Sequence, residues 1–413
     1  MNKDIEILKE LAREWADIVN LPCHKETRRL WKQLNMLKPE RPMVNIDQIP
    51  WHEMNIDDEL TNRCEDPLCI ELETGLRQGI YKWKHMPCDM MIDDFIRIPV
   101  ALCDWGYNIA PKIKRLQYDD LNTNAFSQHF EDIVKTVEDA QNISALPAHI
   151  DNDAQMRLNS LYHDVFDGLI PLRQGGIEMF NLAIWDYINQ IHDIQTSLIE
   201  LIDDPDFIHF LLAKVRDATL KMVDQAETLG AIIEEPSMVH CTGAYIDWER
   251  VPPEQGKLTN AKNSWAFGMS QIFATVGTDM HEEFEYPYLE PIFRRFGYIY
   301  YGCCEPLHNK ISMIRKYSNV RKISMSPWAD VDIGAANIGK DYVLSNKPNP
   351  AFLAKMDLDE DEIRKSLQHT YNACKRNGTP LEFIQKDIST VRYKPQHLWQ
   401  WAQIAMEIAK QEC

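Results

Sequence analysis

The run Tyr300-Tyr301-Gly302-Cys303-Cys304-Glu305-Pro306-Leu307-His308 sets two thiols, a carboxylate and an imidazole within nine residues. Thiolate, carboxylate and imidazole are all zinc-type ligands, so Cys303, Cys304, Glu305 and His308 are expected to bind metal, with Lewis-acid chemistry as the consequence. Packing gives a competing account, because cysteine is often simply buried and His308 can open a helix. The chain holds 10 cysteines. In a long chain without a secretory leader they are expected as free or metal-bound thiols rather than a disulfide framework.

Three further groups could do chemistry. Lys386-Asp387 closes the expected last strand, Leu381 to Gln385, where a charged pair serves as a general acid/base and its orienter, contacts a metal or phosphate, or caps the next helix. His240 sits beside Cys241 in the stretch Met238 to Tyr245. Neighbouring side chains diverge, so both are not expected on one ion, and His240 is taken with Lys386 and Asp387 as catalytic. His52 stands next to Trp51, and His52, Tyr245, Trp265, Gln271 and Tyr301 are the expected lining of a substrate pocket. The acids around His281 (Asp279, Glu282, Glu283) suit a helix N-terminus and need no functional explanation.

These residues must be positioned by a scaffold, and its rhythm is legible. Ile5, Leu8, Leu11, Trp15 and Ile18 recur at helical spacing over Asp4 to Val19, and a second helix follows around Glu26 to Leu37. Lys38-Pro39-Glu40-Arg41-Pro42 breaks helix, and the Met43 run reads as a first strand. Further strands are predicted at Phe95 to Leu102, Gly168 to Leu172, Ala231 to Glu234, Tyr298 to Tyr301, Arg321 to Ser324, Tyr342 to Ser345 and Leu381 to Gln385. Helical stretches separate them, the pattern of a parallel α/β sheet. The prediction is a single (β/α)8 TIM barrel over residues 41–413, preceded by an N-terminal helical extension, 1–40. Such barrels carry their active sites at the C-terminal strand ends, where Cys303 and Lys386 both fall.

Composition removes several classes. Against 44 basic residues stand 63 acidic ones, a net charge of −19 that repels phosphate backbones, so no nucleic-acid partner is expected. No apolar window is long enough to span a bilayer, and the charged start Met1-Asn2-Lys3-Asp4-Ile5-Glu6 is unlike a signal peptide, so no membrane and a cytoplasmic location are expected. P-loop, Rossmann, serine-elbow and His-Glu-x-x-His motifs are missing, which argues against ATP, NAD, serine-hydrolase and metalloprotease chemistry. A homodimer is the default oligomeric expectation.

The run Phe293-Arg294-Arg295-Phe296-Gly297-Tyr298-Ile299-Tyr300-Tyr301-Gly302-Cys303 resembles the stretch of the uroporphyrinogen decarboxylase superfamily that leads into a His-x-Cys-Gly type strand end. Ile323 to Asp330 and Tyr342 to Pro350 are similar to that family's next two strand ends. The likeness is strongest from about Leu201 onward. It implies a (β/α)8 barrel, and two departures bear on the branch. The arginine-rich motif that grips porphyrin carboxylates is replaced by Lys38-Pro39-Glu40-Arg41-Pro42. Tyr301 stands where the metal-binding His of the methyltransferase branch would be, Cys303 matches its Cys, and Asp387 or a neighbour replaces its later Cys. The resemblance therefore implies a metal-assisted methyltransferase, moving a methyl group from a methylated small molecule to a corrinoid on a partner protein. Zinc is the implied metal, in a changed ligand set. Alternatives are a metal-independent carboxy-lyase, with Arg97, Arg173 and Lys386 holding a carboxylated substrate, and a non-catalytic binding barrel.

Overall fold

The computed structural model describes residues 2–116 and 127–411. At its centre lies one all-parallel sheet of seven strands: β1 (Met43–Ile46), β2 (Phe180–Asn181), β3 (Trp265–Gly268), β4 (Tyr298–Tyr301), β5 (Val320–Met325), β6 (Val343–Asn346) and β7 (Leu381–Gln385). Their spatial order is β1-β7-β6-β5-β4-β3-β2, so chain order runs unbroken from β2 to β7 and the first strand then docks beside the last. That is the winding of a βα barrel opened between β1 and β2.

Strand alternation separates two apolar cores. Val44, Ile299, Ile323, Leu344 and Phe383 face the surrounding helices, while Met43, Phe267, Tyr300, Val343 and Ile384 face the concave side. The concave side is filled by a hairpin, Met238–Val239 against Thr242–Gly243, and by Trp31 from the helix Cys23–Asn35. Gly243 is required here, because a Cβ would lie 2.5 Å from the Trp31 ring. Deeper still, Lys322 of β5 and Glu382 of β7 form a fully buried ion pair at 2.7 Å, with the Lys322 ammonium also donating to Thr242 Oγ1 and the Gly243 carbonyl. The first helix, Asn2–Val19, buries Leu8, Ala12 and Ala16 in a third cluster, against the helices Pro67–His85 and Asn152–Phe166.

The regular ladder ends at seven strands, and irregular chain fills the opening. Asp89 N–H donates to the Val44 carbonyl at 2.8 Å, Ile96–Ile98 pairs with Leu172–Gln174 in a separate two-stranded ribbon, and Ile232 makes only an isolated bridge with Ile177. Of the expected strands, Ala231 to Glu234 therefore contributes a bridge rather than a strand. Phe180–Asn181 and Trp265–Gly268 are strands that the sequence reading did not include. The crossing is too tight for side chains: a Cβ on Gly176 would lie 2.5 Å from the Ala231 carbonyl oxygen. No helix of the described residues is long and apolar enough to cross a membrane.

Candidate functional site

β4 sends Tyr300 into the concave face and Tyr301 outward, as the pleat requires. Gly302 then turns the chain at φ 90°, where a Cβ would lie 2.3 Å from Leu307, and Cys303 swings back inward. Two contacts pin it. Ser324 Oγ donates to the Cys303 carbonyl at 2.7 Å, and Cys303 N–H donates to Glu305 Oε2 at 2.9 Å. Glu305 is thereby committed to the backbone beneath the site. Burial pushes its carboxyl up to about 7, and Oε1 has no partner.

Lys386 is the first residue beyond β7, and its side chain is 1% exposed. Its Nζ lies 3.1 Å from Cys303 Sγ, 3.2 Å from Asp387 Oδ2 and 3.3 Å from His240 Nε2. His240 is the first residue of the two-residue hairpin turn, at φ 53°, with its ring stacked on Phe267 at 4.0 Å. Cys303 Sγ and Cys304 Sγ are 3.5 Å apart, and Cys304 Sγ is 3.7 Å from Asp387 Oδ2. Behind His240, Lys347 donates to Cys241 Sγ at 3.1 Å and to Ser345 Oγ at 3.0 Å.

The electrostatics follow from this arrangement. The Cys304 thiol, donating to Cys303 Sγ, holds Cys303 well below the ordinary thiol range; burial opposes this, and His240 and Lys386 reinforce it. Cys304 is correspondingly pushed up, by that same hydrogen bond, by burial and by the Cys303 charge. Burial would raise Cys241, yet the charges of Lys347 and His240 outweigh it and lower the thiol. Burial would likewise lower both His240 and Lys386, but the neighbouring thiolates hold the two above their usual values. The site is a thiolate centre held by buried cations.

No family model matches the sequence, and no curated protein matches it. Among solved structures, a methyltransferase from Methanosarcina mazei aligns over 93% of this chain and 97% of its own, with TM-score 0.49 and 11% identity.

Of the four residues expected to bind metal, the structure brings Cys303 and Cys304 together and adds Asp387. Their ligand atoms all lie within 4.8 Å of one another, the one such cluster among the described residues. Glu305 and His308 stand outside it: Glu305 binds backbone, and His308, half-buried beside Gly334, leaves Nδ1 unpartnered. Tyr301 also faces away. It sits in a fully buried network behind β4, donating to Glu285, which in turn pairs with His281 at 2.8 Å and accepts from Tyr317. Trp265 lies at the start of β3, the end of the sheet opposite Cys303, and Gln271 lies just beyond its C-terminal end with Oε1 buried and unpartnered. His52 is on the rim after β1, 3.8 Å from Glu53. Tyr245 donates to Asp93 in a separate cavity. Sequence reasoning passed over Lys347, although it follows β6 as Lys386 follows β7. It also passed over Asp186, shortly after β2, whose carboxyl burial and the Cys303 charge push up to about 6.

Zinc is the metal implied by the resemblance, and the donors can be tested against it. Two ligands on a tetrahedral ion with bonds of about 2.3 Å sit about 3.8 Å apart. The observed separations, 3.5 Å for S···S and 3.7 Å for S···O, match that edge length. Charge agrees as well. Two thiolates and one carboxylate against the Lys386 ammonium and a protonated His240 leave one net negative charge, and two once His240 gives up its proton, which favours a divalent cation.

Proposed function

We propose that this chain is a methyltransferase in which Cys303, Cys304 and Asp387 hold zinc at the C-terminal ends of β4 and β7, with the methyl group passing from a methylated small molecule to a corrinoid on a partner protein. The observation that carries the reading is the S, S, O cluster, with two of its edges at tetrahedral lengths and all three atoms within 4.8 Å, on the face where such barrels react. Its support beyond that is the resemblance of the Phe293 to Cys303 run. Bound there, zinc would supply Lewis acidity toward the departing oxygen or nitrogen of the methyl donor.

The chain's own groups have definable parts. Lys386, buried and cationic, holds Cys303 as thiolate and fixes Asp387 through Oδ2. His240, locked flat against Phe267, is placed to give a proton to a leaving alkoxide or amine, since it is held above its ordinary value. The Glu305 clamp on Cys303 N–H keeps the thiol aimed inward.

The test is metal content by plasma mass spectrometry on anaerobically purified protein, followed by methylation of cob(I)alamin with a panel of methyl ethers and methylamines. Near-stoichiometric zinc in the wild type and in His308→Ala, lost in Cys303→Ala and Asp387→Ala, is the expected result. Folded, zinc-free wild type after expression with added zinc would overturn the site assignment. Zinc-loaded protein that demethylates none of the panel would count against methyl transfer.

A further inference from the structure

We propose that Arg97, Arg173 and Phe95 form a carboxylate-recognition site, and that the small molecule this enzyme acts on is an organic acid. Arg97 and Arg173 are register partners on the parallel ribbon Ile96–Ile98 and Leu172–Gln174. Adjacent parallel partners project to the same side, so two guanidinium groups stand together. Both lie over the Phe95 ring, at 4.8 and 3.8 Å from its centroid. They line a cavity of about 630 Å³.

Every nearby acid on that cavity's wall is already engaged. Asp93 accepts from Ser237 and from Tyr245 at 2.9 Å, Asp94 pairs with Arg28 at 3.4 Å, and Glu234 and Glu235 both pair with Arg250. Neither Arg97 nor Arg173 has a carboxylate within ion-pair distance among the described residues, in a chain whose net charge is −19. Burial together with the like charge of Arg173 lowers Arg97 below its usual value, outweighing Asp93 and Glu178, which act on it only from beyond contact. An arriving carboxylate relieves both costs, and planar guanidinium forks match its geometry.

Arg97 also reaches toward the reaction centre. Arg97 and Phe95 line a second cavity, of about 440 Å³, whose wall includes His240. His240 Nε2 is in turn 3.3 Å from Lys386 Nζ, so the cavity that Arg97 lines borders the thiolate centre at His240. The substrate class rests on the proposed methyl transfer only for what is done to the ligand; the anion site itself does not depend on it.

Titration calorimetry with benzoate, at low and high salt, tests the site in wild type, Arg97→Gln and Arg173→Gln, with methyl benzoate as the uncharged control and inorganic phosphate as competitor. Zinc content is measured on the same samples, so that failure of the metal site is read separately. Expected are binding of benzoate but not of its ester, weakening with salt, and a loss of tenfold or more in each variant while zinc content stays unchanged. Absence of benzoate binding, binding indifferent to both substitutions, or equal binding of the ester would overturn the proposal. Phosphate binding tighter than benzoate would overturn the carboxylate assignment. Arg173 is exposed on its strand, so Arg173→Gln keeps the test valid even where Arg97→Gln folds poorly.

Discussion

Lys386 Nζ donates to Cys303 Sγ across 3.1 Å with its own side chain 1% exposed, so a buried ammonium and a thiolate stabilise each other at the strand ends. The pair explains why the lysine is held above its ordinary value although burial pulls it down.

Replacing Lys386 with Met keeps the stem's packing and removes the charge. Cys303 then retains its hydrogen bonds from Cys304 and His240 but loses its nearest cation, and its pKa rises. The rate of iodoacetamide alkylation, followed against pH, should show the reactive thiolate titrating at least one unit higher, roughly the weight of one close charge. An unchanged profile would mean that Lys386 does not hold the thiolate.

Zinc binding should release protons in a number set by the same electrostatics. Cys303 is held ionised, whereas Cys304 is pushed up and neutral at pH 7. Ligands must be deprotonated to bind, so loading apo-protein in weak buffer should liberate about one proton per zinc, from Cys304. Cys304→Ser should bind zinc more weakly and release less. Release of two protons would show that Cys303 is not a thiolate in the free protein.

The buried ion pair of the concave core yields a stability prediction. Glu382→Gln leaves the Lys322 ammonium at zero exposure without its counter-charge, with only neutral partners: the amide oxygen, Thr242 Oγ1, the Gly243 carbonyl and the Trp31 ring. Breaking one side of such a pair costs about 3–5 kcal/mol, while replacing both members by apolar residues of similar volume is far milder. Reversible urea unfolding should rank Glu382→Gln below the double variant Lys322→Met, Glu382→Met.

What the sequence revealed, and what it hid, follows from range. Tyr298 to Tyr301 was legible as a strand because a strand buried on both faces reads as a continuous apolar run, and Leu381 to Gln385 because Leu381, Phe383 and Ile384 dominate a short segment that follows Pro380. Cys303 and Lys386 could be placed at strand ends for the same reasons. Trp265–Gly268 is only four residues long and ends in glycine, so no periodicity marks it. Ala231 to Glu234 has the composition of a strand, yet the close crossing at Gly176 leaves it a single bridge. Within the site, composition cannot distinguish Glu305 from Asp387. The positive φ of Gly302 decides it, by carrying Cys303 inward and setting Glu305 beneath the backbone. Lys347 was hidden because its thiol partner lies 106 residues away.

Glu305 offers the clearest pH dependence. Its carboxyl titrates at about 7 in the folded chain, against 4.5 for an ordinary glutamate, because burial disfavours the charged form. The sign follows from proton counting. Between pH 4.5 and 7 the folded state holds a proton that the unfolded state has lost, so stability falls as pH rises through that window and is level above it. The full cost of ionising the group is on the order of 3 kcal/mol. Glu305→Gln cannot ionise, and its amide oxygen can still accept from Cys303 N–H. Its unfolding midpoint should therefore be nearly flat across the window and exceed the wild type's above it, while zinc content is kept. Glu305→Ala flattens the pH dependence too, but it leaves the Cys303 N–H buried without a partner. That loss costs about 1–3 kcal/mol and frees the turn that aims the thiol, so zinc affinity falls with it. Equal zinc affinity in the Gln and Ala variants would show that the clamp does not position Cys303.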